Sequence, residues 1–337
     1  MARYSTGILS TGSYLPKDEV TNVEAGRRSG VEPEWIERKT QIVTRRFAAP
    51  AEATSDLAIR AGRAALEQAG LKAAQLDYLI VSTSTGDSPQ PPTSYLVQSG
   101  LDALNAACLD VNVVCSGFVY ATVLAHSLLA LRPGGFALVV AADVYSRILD
   151  FEDYRSAVLL GDGAGAAVIG PVDEQYGIVD FSLISRGDAH RLIRVDAGGS
   201  RLPTSAETLA AGGHFFRMDG RGVREFVMDS VPPVVAGLTA RAGIGLEQVD
   251  HFIPHQANGV LLGELVQRCG LGGARTHRTL ERYGNVGSAS VPVALDDGHR
   301  AGAFRDGDLL LLAAFGGGMS VGTCLVRWQD GAGRAAR

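Results

Sequence analysis

A stretch of this chain near residue 70 comes back near residue 243. Residues Ala69–Val81 read AGLKAAQLDYLIV and residues Ala242–Pro254 read AGIGLEQVDHFIP; Ala, Gly, Gln, Asp and Ile recur in register, 173 residues apart. Each copy follows a helical stretch and ends in a short apolar run. A second pair supports the first: FALVVAADV, from Phe136, is echoed by LLLLAAFGG, from Leu309. Continuous apolar runs of this length suit strands covered on both faces. Two αβ units of any α/β protein share some of these features, but two matched pairs point to a duplication. The chain is then two α/β halves, residues 1–171 and 172–337, joined near Pro171 to Gly187. The stretch from Arg186 to Gly213 has weak periodicity and reads as an irregular connection, at the surface or along a pocket.

With 337 residues and 46% apolar content the chain can bury a large core. A formal charge of −5 leaves no basic surplus for phosphates and argues against a general nucleic-acid partner. No charged start followed by an apolar run marks a signal peptide, and no run approaches the roughly 20 apolar residues that span a bilayer. Cys108, Cys115, Cys269 and Cys324 form no CxxC pair, so no zinc or dithiol site is expected. Scattered cysteines in a large chain fit a reducing, cytoplasmic setting.

Three side chains stand out by position. Cys115 follows a strand candidate, Cys108–Val114, and precedes a helical pattern from Phe118 to Leu131. A cysteine where a strand turns into a helix meets unpaired N–H groups and the positive end of the dipole, which favour a thiolate. The alternative is a small buried hydrophobe, as most free cysteines are. His255 ends the strand HFIP, where α/β folds place chemistry, or is a loop histidine satisfied by backbone. Asn285, in Tyr283-Gly284-Asn285-Val286-Gly287-Ser288, reads as a turn. Yet an offset of 173 carries Cys115 to Ser288, close to Asn285. The same corner of each half would then supply one side chain, and the two corners should meet.

The glycine clusters are less specific. Gly161-Asp162-Gly163-Ala164-Gly165 has strand-like residues on both sides, so no helix N-terminus follows as a dinucleotide loop requires. Phe315-Gly316-Gly317-Gly318 ends a buried strand; its backbone N–H groups either face an oxyanion or form an ordinary bend.

Together VVCSGF, PHQAN, YGN and AFGGG, in this order and spacing, resemble ketoacyl-ACP synthase III. The likeness runs from Gly7-Ile8-Leu9-Ser10 to Leu325-Val326-Arg327-Trp328. It implies the five-layered αβαβα thiolase-like fold, a homodimer, and Cys115, His255 and Asn285 as the catalytic set. It implies an oxyanion hole from the N–H groups of Cys115 and Gly317. Acyl-CoA or an acyl carrier protein would be the partner, its CoA or phosphopantetheine thioester being substrate, with no cofactor. Trp35 would stack on adenine, with Lys39 and Arg155 near the phosphates. Gln90, in the Pro-rich loop, would stand where a residue reaches the partner subunit's acyl pocket.

The chain departs from the family at several places. Val260 replaces an Arg that contacts the carrier protein, and Glu225 stands near where a basic contact is expected. Lys39 replaces an Arg, Gln41 a Gly and Gln90 an apolar or aromatic residue. Three activities remain in view: decarboxylative condensation with malonyl-ACP in fatty-acid or polyketide synthesis, acyl transfer to a hydroxyl, amine or second carrier with His255 as base, and a non-catalytic partner subunit.

Overall fold

The computed structural model describes residues 4–330. Ten strands carry the architecture. The first five are β1 (Tyr4–Tyr14), β2 (Tyr78–Ser82), β3 (Ala107–Val111), β4 (Ala137–Asp143) and β5 (Gly163–Asp173). They form one sheet in the order β1-β5-β4-β2-β3. The next five are β6 (Gly177–Ser185), β7 (His251–Pro254), β8 (Arg275–Thr276), β9 (Leu309–Gly316) and β10 (Ser320–Arg327). Their sheet runs β6-β10-β9-β7-β8, the same order five strands on. Only Glu174–Tyr176 separates β5 from β6.

The apolar runs do what their composition requires. Along β4, Ala137, Val139 and Ala141 face the middle of the molecule, while Leu138, Val140 and Ala142 face outward. Along β9, Leu310, Leu312 and Ala314 face the middle, and Leu309, Leu311 and Ala313 face outward. Alternation with both faces apolar puts a helical layer on each side of each sheet. Helix α1 (Thr54–Ala69) covers the first sheet through Leu57, Ala61 and Ala65. Helices α3 (Gly220–Arg241) and α4 (Gly259–Arg268) cover the second, through Val227, Val231 and Val235 of α3 and Leu265 of α4. Between the sheets lie α2 (Gly117–Ala130) and α5 (Ser290–Arg300). Phe118, Ala121 and Ala125 of the first and Val291, Ala294 and Leu295 of the second join one central core. The result is the expected α-β-α-β-α stack.

The fold brings the ends of β4, β7 and β9 and the starts of α2 and α5 to one place. No helix among the described residues is long and apolar enough to cross a membrane.

Candidate active site

Cys115 is the middle residue of a single 3-10 turn, Val114–Ser116, immediately before α2. The strand before it was expected to reach Val114 but ends at Val111. The Asn112 side chain accepts the Val114 N–H at 3.3 Å, an Asx turn that takes the backbone out of the ladder. Val114 itself is left-handed, φ 46°, a conformation branched side chains resist. A Cβ on Gly117 would overlap the Ser82 hydroxyl, so only glycine lets α2 start this close to β2. A Cβ on Gly316, at the end of β9, would lie 2.5 Å from the Cys115 Cβ.

Cys115 is buried, and this reverses the expected thiolate. Desolvation, then the charge of Asp143, push its thiol up to about 12. The N–H groups of Cys115 and Gly317 reach the sulfur and pull the other way without prevailing. The resting group is a thiol.

His255 directly follows β7 and donates its N–H to the Ala313 carbonyl at 2.8 Å. Its ring packs edge-on against Phe315, centroids 5.3 Å apart. Burial lowers its pKa to about 3, so the imidazole is neutral. Nδ1 is buried with no hydrogen-bond partner among the described residues. A proton there would be an unsatisfied donor in a dry setting, so the proton belongs on Nε2.

Asn285 is fixed by its backbone: its N–H donates to Leu159 at 2.8 Å and its carbonyl accepts from Gly161 at 2.9 Å. Its Oδ1 accepts the Gly287 N–H at 3.0 Å, which assigns the carboxamide and leaves Nδ2 as the group facing onward. These three side chains, from loops 140 and 30 residues apart, line one cavity of about 510 Å³, mouth included.

The outer walls were not anticipated in the sequence. Tyr145, Leu159 and Leu261 contribute, as do Ile193, Phe216 and Met218. The last three come from a small antiparallel pair, Ile193–Val195, which forms inside the stretch read as irregular, with Phe216–Met218, just past it. That segment therefore runs along a pocket. Its strands have three residues each, too few for a period of two to register.

The expected CoA-binding residues lie beside the cavity rather than in it. Trp35 is half-buried, edge-on to Tyr154 at 5.3 Å, and the exposed Arg155 stands over the same Tyr154 ring at 5.6 Å. Lys39 is exposed; its carbonyl accepts from Asn258, the cap of the helix Gly259–Arg268 that carries Leu261. Gln41 takes the left-handed position that ends helix Pro33–Thr40, φ 59°, a conformation that suits glycine best. Gln90 is exposed and does not line the cavity of its own chain. The sequence Gly161–Gly165 leads into β5 with no helix after it, and Asp162 is buried, accepting from the N–H groups of Ala48 and Ser146.

Two like sheets around a central helix pair, with a cysteine, a histidine and an asparagine converging at their junction, characterise the thiolase-type acyltransferases that condense thioesters. Residues 109–187 match the family 3-Oxoacyl-[acyl-carrier-protein (ACP)] synthase III, and residues 239–328 match its C-terminal part. The chain is 49% identical over 323 residues to the acetoacetyl CoA synthase NphT7 of Streptomyces sp. (strain CL190), covering 95% of this chain and 98% of that one. It is 39% identical over 327 residues to the beta-ketoacyl-[acyl-carrier-protein] synthase III of Caldanaerobacter subterraneus subsp. tengcongensis, covering 97% and 99%. The priming beta-ketosynthase of the R1128 polyketide pathway superposes with a TM-score of 0.89 at 33% identity, over 98% of each chain. The chain belongs to the ketoacyl-ACP synthase III family and is a condensing acyltransferase with the thiolase fold.

Proposed function

We propose that Cys115 is the nucleophile, that His255 and Asn285 are hydrogen-bond donors, and that the acceptor is a malonyl thioester. The Cys115 sulfur attacks an acyl thioester, and the acyl group moves to it. The thiol proton leaves with the released CoA or carrier thiol. The N–H groups of Cys115 and Gly317 oppose the oxyanion formed on the way. Malonyl thioester then loses CO₂, and the electrons of the broken C–C bond move onto the thioester oxygen. His255 Nε2 and Asn285 Nδ2 hold that charge. The resulting carbanion attacks the acyl carbon, and the cysteine sulfur leaves as a thiolate that takes up one proton from solvent. The broken bond supplies the electrons, so no cofactor enters.

The orphaned Nδ1 of His255 carries this reading. A general base for simple acyl transfer needs its proton on Nδ1, where none of the described residues accepts it; a donor to an enolate needs it on Nε2. Intact-mass measurement after incubation with a panel of acyl-CoAs tests the nucleophile, with an adduct expected on the wild type and none on Cys115→Ala. Release of CO₂ from a malonyl thioester tests the rest. Asn285→Ala should lose on the order of 10²–10³ in CO₂ release yet still take up acyl groups. Acyl turnover without CO₂ would support transfer instead.

The malonyl carrier has two readings. The family reading is malonyl-ACP. Malonyl-CoA, giving a β-ketoacyl-CoA, is favoured by two observations. Val260 is exposed and Glu225 is paired with Arg221 at 3.0 Å, where basic carrier contacts are expected. The relative at 49% identity is named for a CoA product. Assaying both malonyl donors at equal concentration separates the two.

CoA would lie across Trp35, Lys39 and Arg155, with its pantetheine arm running past Leu261. A homodimer is consistent with β3, which pairs only with β2 among the described strands and leaves Leu109 exposed. Light scattering should return twice 35.3 kDa. Gln90 would then approach the neighbour's acyl pocket. A cytoplasmic setting keeps a nucleophilic thiol reduced.

A further inference from the structure

The two corners of the duplicated fold differ at one telling pair of positions. Cys115 and Ser288 are 173 residues apart, and so are Asp143 and Gly316, the last residues of β4 and β9. At the Cys115 corner the strand end is bare glycine, and the space goes to the Cys115 backbone and side chain. At the Ser288 corner the strand end carries a carboxylate.

Asp143 is fully buried and both its oxygens are filled. Oδ2 accepts from the Ser288 N–H at 2.9 Å and the Ser288 hydroxyl at 2.7 Å. Oδ1 accepts from the Ser84 N–H at 2.9 Å, and from the hydroxyls of Thr85 at 3.0 Å, Ser84 at 3.1 Å and Thr83 at 3.2 Å. The two backbone N–H groups can only donate and the four hydroxyls can do so, a set that suits a carboxylate, while burial works the other way and raises the Asp143 carboxyl above its usual range. The turn that carries Asn285 rests on this group. Gly287 gives its N–H to the Asn285 carboxamide, and the next residue, Ser288, gives its N–H to Asp143. A Cβ on Gly287 would lie 2.5 Å from Asp143 Oδ2.

We propose that Asp143 is a positioning residue for the condensation step, holding the 286–288 turn from beneath so that the Asn285 amino group is presented to the cavity. For its catalytic consequence this rests on the condensation reading above. It has an electrostatic consequence that does not: the charge of Asp143 is the second cause, after burial, of the raised Cys115 thiol.

Asp143→Asn keeps the volume, removes the charge and sets an amino group against donors. Two readouts follow. The rate of Cys115 alkylation by iodoacetamide, read by intact mass from pH 6 to 9, should shift to lower pH, with about threefold faster labelling at pH 7.5. Release of CO₂ from malonyl thioester by the acylated enzyme should fall on the order of 10²-fold, while acylation itself changes little. An unchanged alkylation rate, or an equal acceleration in Ser288→Ala, which loosens the same contact and removes no charge, would overturn the electrostatic part. Unchanged CO₂ release would overturn the positioning role. Should Asp143→Asn fail to fold, Ser288→Ala removes one bond and no charge. It should lower CO₂ release severalfold with the alkylation curve unmoved, and unaltered release there overturns the proposal equally. A wild-type enzyme that acylates without releasing CO₂ sinks the condensation reading alone, and the alkylation arm still decides the coupling of Asp143 to the sulfur.

Discussion

At neutral pH the Cys115 sulfur carries a proton and the His255 ring does not carry an extra one. Burial produces both results, because a dry site penalises thiolate and imidazolium alike. The sign has consequences for rate. With its pKa near 12, Cys115 gains thiolate about tenfold per pH unit well past neutrality. Alkylation of the wild type should therefore keep rising through pH 9; a plateau near pH 7 would show a thiolate–imidazolium pair instead. With its pKa near 3, His255 stays neutral far below 6.5, where a solvated histidine is half protonated. Decarboxylation by pre-acylated enzyme in a single turnover should show no acid limb between pH 7 and 5. A fall centred near 6.5 would mean that water reaches the ring. The identities of the three central side chains can be read in the sequence, since each ends a recognisable strand or sits between glycines. Their protonation cannot. A helix start argues for a thiolate, and only the depth of burial and the placement of Asp143 overrule it.

The corner elements depend on close approach. Gly117 lets α2 begin against Ser82, and Gly316 lets β9 end against Cys115. Gly117→Ala should destabilise the protein by about 1–3 kcal/mol through overpacking, seen as a lower melting temperature. Gly316→Ala should abolish acylation with a smaller loss of stability, because its methyl group takes the sulfur's space at the cavity wall. Intact mass after acyl-CoA treatment distinguishes them. The long elements are legible for a plain reason: β4 and β9 are continuous apolar runs, and α1 and α2 repeat apolar residues at helical spacing. The two-residue β8 and the three-residue strands at 193–195 and 216–218 carry no such signal. Tyr145 escapes for another reason. It follows a strand as many aromatic core residues do, and only the fold brings it to the cavity.

At the scale of the molecule, each half has an outer core of its own and the two halves share a third between their sheets. Residues from both sheets and from α2 and α5 pack into one central cluster. Such a chain should unfold in a single cooperative transition, with calorimetric and van't Hoff enthalpies equal for the assembled protein. Two resolved transitions would mean that the halves are energetically independent despite this shared layer. The duplication is visible in the sequence only where strand and turn requirements coincide, as at Ala69–Val81 and Ala242–Pro254. Elsewhere the halves have diverged, and a shared strand order preserves what the residues no longer show.

The small hairpin that closes one side of the cavity stands outside both sheets. Ile193, Phe216 and Met218 line the cavity, yet they belong to neither of the turns that carry Cys115 and Asn285 nor to the strand that ends at His255. Selection on which acyl groups are admitted can therefore work on this outlying flap while the reaction centre stays as it is, so that relatives sharing one chemistry can come to differ in diet.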